Sequence, residues 1–183
     1  IWNSAWNRDS FVAGIEAILA HHRDGCDTRA WLERIRNRSI VVWPPIEVPE
    51  RVLHNREGER TSSPRVVWPH RWAYDKGPEE LLAVAERWTE PLGLRWTILG
   101  ESRGDVPAAL ATFRERFAGA IDHFGGVEDR AVYWEHLMRC DWVLSTARHE
   151  FFGIAVAEAI FAGCLPWVPD RLSYPEITPP GVA

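Results

Sequence analysis

Ser145-Thr146-Ala147-Arg148-His149-Glu150-Phe151-Phe152-Gly153-Ile154-Ala155-Val156-Ala157-Glu158-Ala159 holds two carboxylates, Glu150 and Glu158, with seven residues between them. The first lies in a turn-like stretch. The second lies in an otherwise apolar run, residues 153–162, which reads as a buried helix closed by Gly163. An ionised carboxylate is costly to bury unless something satisfies it, so the stretch reads as a ligand site. A short strand over 142–144 precedes it and another over 165–168 follows it, which makes this a β-α-β unit.

Outward from that unit the alternation continues. Strands are expected over 65–68, 94–99 and 121–124, and helices over 78–88, 106–117 and 129–138, with Pro78 at a tolerated first-turn position and Glu79 and Glu80 at the positive end of its helix. Strands alternating with helices of this length predict an α/β fold, a doubly wound parallel sheet with right-handed crossovers. Ligands of such sheets bind at the carboxyl ends of the strands. The loops after Trp68, Leu99 and Leu144 therefore carry the weight.

The amino-terminal third differs. Residues 1–38 hold two helical patterns: one capped by Ser10 or Asp9, with Phe11, Ile15, Ile18 and Leu19 inward and ended by Gly25; and one capped by Asp27 or Thr28, with Trp31, Leu32 and Ile35 inward. Ile40-Val41-Val42-Trp43 is a short extended run stopped by Pro44-Pro45, and residues 51–64 are polar. Three regions are expected: a helical tail over 1–38, a linker or loop over 39–64, and an α/β domain over 65–183. The chain opens without Met and stops at Pro179-Pro180-Gly181-Val182-Ala183, and is expected to be part of a larger protein.

Composition narrows the function. A net charge of −5, from 21 basic and 26 acidic residues, is not that of a basic nucleic-acid module. Cys26, Cys140 and Cys164 match no disulfide framework or zinc pattern, and point to a reducing, cytoplasmic setting. There is no apolar run near the ~20 residues of a membrane span, and no membrane partner is expected. The 11 tryptophans read mainly as packing. No Walker loop or Gly-x-Gly-x-x-Gly occurs, against ordinary NTPase and dinucleotide sites. No Asp-x-Asp pair occurs for a metal–diphosphate complex.

The loop after residue 68, Pro69-His70-Arg71-Trp72-Ala73-Tyr74-Asp75-Lys76-Gly77-Pro78, puts two cations at a strand end ahead of a helix start. Arg71 and Lys76, with helix N–H groups, suit a diphosphate; otherwise they are solvated loop cations. Opposite them, Gly153 lets a ligand approach the backbone at a helix start with free N–H groups. Glu150 suits sugar hydroxyls or is an exposed loop acid, Glu158 suits a ribose diol, and His149 is a ligand contact or a loop histidine without a role.

These two loops together resemble the nucleotide-sugar half of retaining glycosyltransferases of family 4, with the GT-B fold. There an Arg and a Lys five apart, followed by Gly, grip the donor diphosphate; here these are Arg71, Lys76 and Gly77. The Glu-x7-Glu motif of that family matches Glu150, which would contact the hexose, and Glu158, which would contact the ribose. His149, Phe151, Phe152, Gly153 and Ile154 would line sugar and phosphate. Longer strings, among them Arg71-Trp72-Ala73-Tyr74-Asp75-Lys76, His149-Glu150-Phe151-Phe152-Gly153 and residues 169–177, resemble the tRNA-queuosine mannosyltransferase family.

The resemblance implies the Rossmann-like, C-terminal donor-binding domain of a GT-B enzyme that moves mannose from GDP-mannose to queuosine in tRNA with retention. Catalysis would fall to Arg71, Lys76 and Glu150, without a cofactor or metal. The acceptor domain, through which tRNA would dock, is expected in the rest of the larger protein. The alternatives are a GT-B transferase with a UDP-glucose-type donor and a non-tRNA acceptor, and a catalytically silent nucleotide-binding fragment. The loops over 100–104 and 123–126 are where the base contact is expected.

Overall fold

A computed structural model describes residues 1–20, 28–54 and 63–178. Five short strands form its centre: β1 (Arg65–Pro69), β2 (Arg95–Leu99), β3 (Ile121–Gly125), β4 (Trp142–Leu144) and β5 (Leu165–Trp167). They make one all-parallel sheet in the order β3-β2-β1-β4-β5. The predicted α/β, Rossmann-like doubly wound sheet is therefore present. In β1 and β2 the four residues after the first are all buried, as unbroken apolar runs require when helices cover both faces.

The chain leaves β1 in one direction to build β2 and β3, then crosses back to place β4 on the other side of β1. Right-handed connections put the helices of the two halves on opposite faces. Accordingly α4 (Pro78–Leu92) and α5 (Ala108–Arg116) supply Leu81, Ala85, Leu110 and Phe113 to the core around Trp68, Trp96 and Ile98. On the other face α6 (Arg130–Met138) and α7 (Ile154–Phe161) supply Trp134, Leu137, Val156 and Ala159 to the core around Val67 and Val143. Between β1 and β4 the strand order reverses, and there the carboxyl ends of two neighbouring strands open a crevice.

The amino-terminal region contributes α1 (Ala5–Leu19), α2 (Thr28–Asn37) and α3 (Glu50–His54). The expected cap of the first helix at Ser10 or Asp9 is wrong: Ser4 is the N-cap, and its hydroxyl accepts from the Asn7 N–H. The reason lies far along the chain. The carboxylate of Glu176, in α8 (Tyr174–Ile177), accepts the free N–H groups of Ala5 and Trp6 at 2.9 and 2.8 Å, where a helix start has donors and positive potential to offer.

The expected inward faces hold only in part. Leu32 is buried and Ile15, Leu19 and Ile35 are half-buried, while Phe11, Ile18 and Trp31 are exposed; the buried residue of α1 is Val12, which is not among the expected inward residues. Residues 39–54 add Ile46, Val48 and Val52 to the α6–α7 core. The expected break at Gly25 and the alternative cap at Asp27 lie outside the described residues, as does Cys26. Cys140 and Cys164 are free and buried, and burial pushes the Cys140 thiol up to about 12. Trp68, Trp96 and Trp134 are packing residues, as expected, but Trp43 and Trp142 are exposed.

Candidate functional site

The loops after β1 and β4 interlock at the crevice. The first runs through a 3-10 turn, Tyr74–Lys76, to Gly77, whose φ of 65° starts α4. A Cβ at Gly77 would stand 2.2 Å from the Thr146 carbonyl oxygen, so glycine is required by conformation and by contact. Thr146 donates its hydroxyl to the Lys76 carbonyl at 2.8 Å and accepts from the Trp68 indole at 2.9 Å. The N–H groups of Arg148 and His149 converge on the Asp75 carbonyl at 2.8 and 3.2 Å.

At the junction lies Lys76, its side chain only 10% exposed. Its ammonium donates to the His149 carbonyl at 2.9 Å and to Glu150 at 3.0 Å, and stands 3.3 Å from Asp75. Arg71 lies further out and bonds Asp75 at 3.1 Å. Burial opposes ionisation of Asp75, but Lys76 and Arg71 outweigh it and hold its carboxyl below the ordinary value. Glu150 also accepts the Phe151 N–H at 3.1 Å. Phe151 is exposed and Phe152 buried; Gly153, with φ 92°, leads into Ile154 at the start of α7. His149 enters by its backbone rather than its ring.

Glu158 is buried, as the apolar run predicts. That run is not apolar core throughout, however: Ile154 and Phe161 at the two ends of α7 are exposed, and Val156, Ala157 and Ala159 form its inner side. The Glu158 carboxylate is satisfied by two groups of α6. Arg130 forms an ion pair with it, and the Tyr133 hydroxyl donates to it at 2.9 Å. Burial and the neighbouring Glu158 charge both push the Tyr133 phenol up, so tyrosine remains a donor. The Arg130 guanidinium also lies over the Tyr133 ring at 4.8 Å.

Beside these groups, at the carboxyl ends of β1 and β2, is a cavity of about 270 Å³ whose lining includes His70, Arg71, Trp72, Glu101, Arg103 and Tyr133. The Trp72 N–H donates to the Glu101 carbonyl at 3.0 Å and ties the loop after β2 to the loop after β1. Part of the predicted 100–104 region therefore borders the cavity. A wider cleft of about 420 Å³, reaching the amino ends of β1, β2 and β4, is lined by Pro64, Val66, Leu92, Leu94, Trp142 and Trp167 and has no ionisable group.

The structure thus joins Arg71, Lys76, Gly77, His149 and Glu150 in one linked loop pair, followed directly by Phe151, Phe152, Gly153 and Ile154. Glu158 stands in a second polar group with Arg130 and Tyr133. Sequence reasoning missed these two partners. One signal was available: Asp129 caps α6 through the Ala131 and Val132 N–H groups, which sets Arg130 at the carboxyl edge of the sheet, where α7 also begins.

No family model matches the chain. It is 33% identical over 188 residues to the tRNA-queuosine alpha-mannosyltransferase of Drosophila melanogaster, a match covering 98% of this chain and 49% of that protein. The chain therefore spans about half the length of the curated relative it matches. Among solved structures it resembles a mutant of S. aureus TarM in complex with fondaparinux, alpha-GlcNAc-glycerol and UDP, with a TM-score of 0.60, 17% identity and coverage of 84% of this chain and 36% of that one. It also resembles WaaG, a glycosyltransferase involved in lipopolysaccharide biosynthesis, with a TM-score of 0.52, 19% identity and coverage of 71% and 35%. These likenesses show the fold, a Rossmann-like domain of the kind found in GT-B glycosyltransferases.

Proposed function

We propose that this chain is the donor-binding part of a glycosyltransferase, which transfers mannose from GDP-mannose to queuosine in tRNA with retention at the anomeric carbon. The observation that carries the reading is the interlocked pair of loops at the β1/β4 switch point, where Lys76 and Glu150 meet at 3.0 Å beside Arg71 and a 270 Å³ cavity. The sequence relationship to a tRNA-queuosine mannosyltransferase supports the choice of donor and acceptor.

In this reading Arg71 and Lys76 neutralise the diphosphate as it leaves. They stabilise charge that develops in the transition state, and two cations in place of a metal ion suffice. Arg71, with a side chain 61% exposed, is free to turn from Asp75 to a phosphate. Lys76 is held in position by the His149 carbonyl, and its bond to Glu150 brings the sugar-side acid to the phosphate-side cation. Glu150 orients the hexose, Gly153 and its neighbours line sugar and phosphate, and Glu158 takes the ribose from its seat between Arg130 and Tyr133. The setting is the cytoplasm, and the tRNA is held by the acceptor half of the longer protein.

A second reading is a UDP-sugar donor, favoured by the likeness to a TarM structure that contains UDP. Isothermal calorimetry with GDP-mannose, UDP-glucose and GDP decides between them. Binding of GDP-mannose and GDP with UDP-glucose silent is the expected result. Binding of UDP-glucose alone overturns the mannose assignment, and binding of none of the three overturns the donor site.

A further inference from the structure

Beneath the cavity lies a buried polar chain to which the proposed reaction assigns no part. Ser145 Oγ is 2.9 Å from His70 Nε2, 2.5 Å from Tyr174 Oη and 3.3 Å from the Ala147 N–H that donates to it. The three residues come from the ends of β1 and β4 and from α8, and none is more than 4% exposed.

Hydrogen accounting assigns the direction of the chain. A serine hydroxyl has one proton and two lone pairs, and the Ala147 N–H takes one of the pairs. If His70 donated from Nε2, Ser145 would donate to Tyr174, and the buried phenol proton would find no acceptor among the described residues. In the other pattern Tyr174 donates to Ser145 and Ser145 donates to Nε2, and each group is satisfied, as buried polar groups require. Nε2 is then unprotonated and Nδ1 carries the proton. The buried side-chain polar atoms left without a partner among the described residues are the indole nitrogens of Trp72 and Trp134. Nδ1 is not one of them although no group among the described residues binds it, and His70 lines the cavity next to Arg71.

We propose that His70 is a ligand-binding residue that donates its Nδ1–H to a phosphate oxygen of a nucleoside diphosphate, and that Ser145 and Tyr174 are the positioning residues that fix its tautomer. The inference rests on the donor-site reading above and deepens it. A neutral donor suits the place. Burial, and the Lys76 charge next to it, lower the His70 pKa to about 3, against a smaller opposing effect of Asp75, so the ring adds a hydrogen bond to the phosphate without adding a third adjacent cation.

The test pairs two amide substitutions with a spectroscopic readout. Asparagine places an N–H near the position of Nδ1, and glutamine places one near Nε2. By calorimetry with GDP, His70→Gln is expected to bind about tenfold more weakly, the loss of one hydrogen bond to a charged acceptor, while His70→Asn stays within about threefold of the parent. Long-range proton–nitrogen correlation spectra of the parent should show protonated Nδ1 and bare Nε2, with the Nδ1 resonance moving when GDP is added. Tyr174→Phe, which removes the outer donor, should shift the ring toward a mixture of tautomers.

Equal losses in the two His70 variants, no loss in either, a protonated Nε2 in the parent, or an Nδ1 resonance indifferent to GDP would each overturn the proposal. The spectra of the parent decide the matter even if a His70 variant does not fold. If the parent binds neither GDP nor GDP-mannose, the donor site itself falls and this contact with it. If the parent binds and His70→Gln binds equally well, only the contact falls.

Discussion

The two carboxylates of the Glu-x7-Glu stretch are held in different ways. Glu150 lies in a loop and meets Lys76, and both side chains are shielded, 17% and 10% exposed. Glu158 lies in a helix and is itself buried, 7% exposed by side chain, but its cation Arg130 is 55% exposed and stacked on Tyr133. In the first pair both partners have little water to turn to. In the second only the acid depends on the pair. The first pair should therefore hold the architecture together as well as the ligand, and the second should mainly orient an acid for its ligand.

The largest expected effect follows from the first pair. Lys76→Ala leaves Glu150 and Asp75 side by side with their common cation gone and the His149 carbonyl without its donor. Removing one member of a buried pair costs about 3–5 kcal/mol, and the urea midpoint should fall accordingly. A midpoint within experimental error of the parent would show that the loop pair does not depend on this cation.

Next in size is an acid effect at the same junction. His70 titrates near its ordinary value of 6.5 when unfolded and at about 3 when folded. The unfolded chain therefore binds one more proton between these values, and stability is lost as pH falls through that window, at most about tenfold in the folding constant per pH unit. Above about pH 6.5 this group gives no slope. His70→Gln should remove its part of the acid slope, and chemical denaturation at a series of pH values would measure it. An unchanged slope would place the lost protons elsewhere; Asp75, whose carboxyl is held low by Lys76 and Arg71, contributes mainly below its ordinary pKa of 3.8.

How far these features were legible in the sequence differs between the same regions. The alternation of elements was readable because the strands other than β3, which carries Asp122 and His123, are short and mainly apolar, and α4 and α6 carry Pro78 and Asp129 at their starts. The strands start and end within a residue or so of expectation. Arg71, Lys76 and Glu150 were found because ligands of parallel sheets bind at the loops after the strands, and Gly77 through the resemblance to the diphosphate grip of family 4. The partners of Glu158 were not found, because pairing between the helices after β3 and β4 depends on how α6 and α7 pack across the sheet face, which local pattern does not encode. The cap of α1 was misplaced for the same reason. Ser10 and Asp9 are good local capping residues, but Glu176, 171 residues beyond Ala5, supplies the acceptor that fixes the helix start.

Glu158→Gln tests the second pair. The amide keeps an oxygen for the Tyr133 hydroxyl, and Arg130 can turn to water, so the stability cost is expected at about 1 kcal/mol rather than the roughly 3–5 of a buried pair. Nucleotide affinity should fall more than stability does, since a carboxylate accepts a ribose diol at both oxygens. If the melting temperature drops as far as in Lys76→Ala while GDP affinity is unchanged, the contrast between the two pairs is wrong and Glu158 is purely structural.

The smallest effect is expected at Tyr133, and it separates the two groups that hold Glu158. Tyr133→Phe deletes one hydrogen bond of 2.9 Å to the carboxylate but leaves the ring under Arg130. Loss of a single bond of this kind costs about 1 kcal/mol, a shift of about 2–4 °C in Tm for a domain of this size. The hydroxyl and Arg130 Nη1 share one carboxylate oxygen while Arg130 Nη2 bonds the other, so the variant should lose the closer restraint on the shared oxygen while keeping charge, and affinity for GDP should fall severalfold with no change in the salt dependence of binding. A change in salt dependence would instead mean that Arg130 has moved with the ring, and that the tyrosine serves as the platform for the cation more than as the donor to the acid.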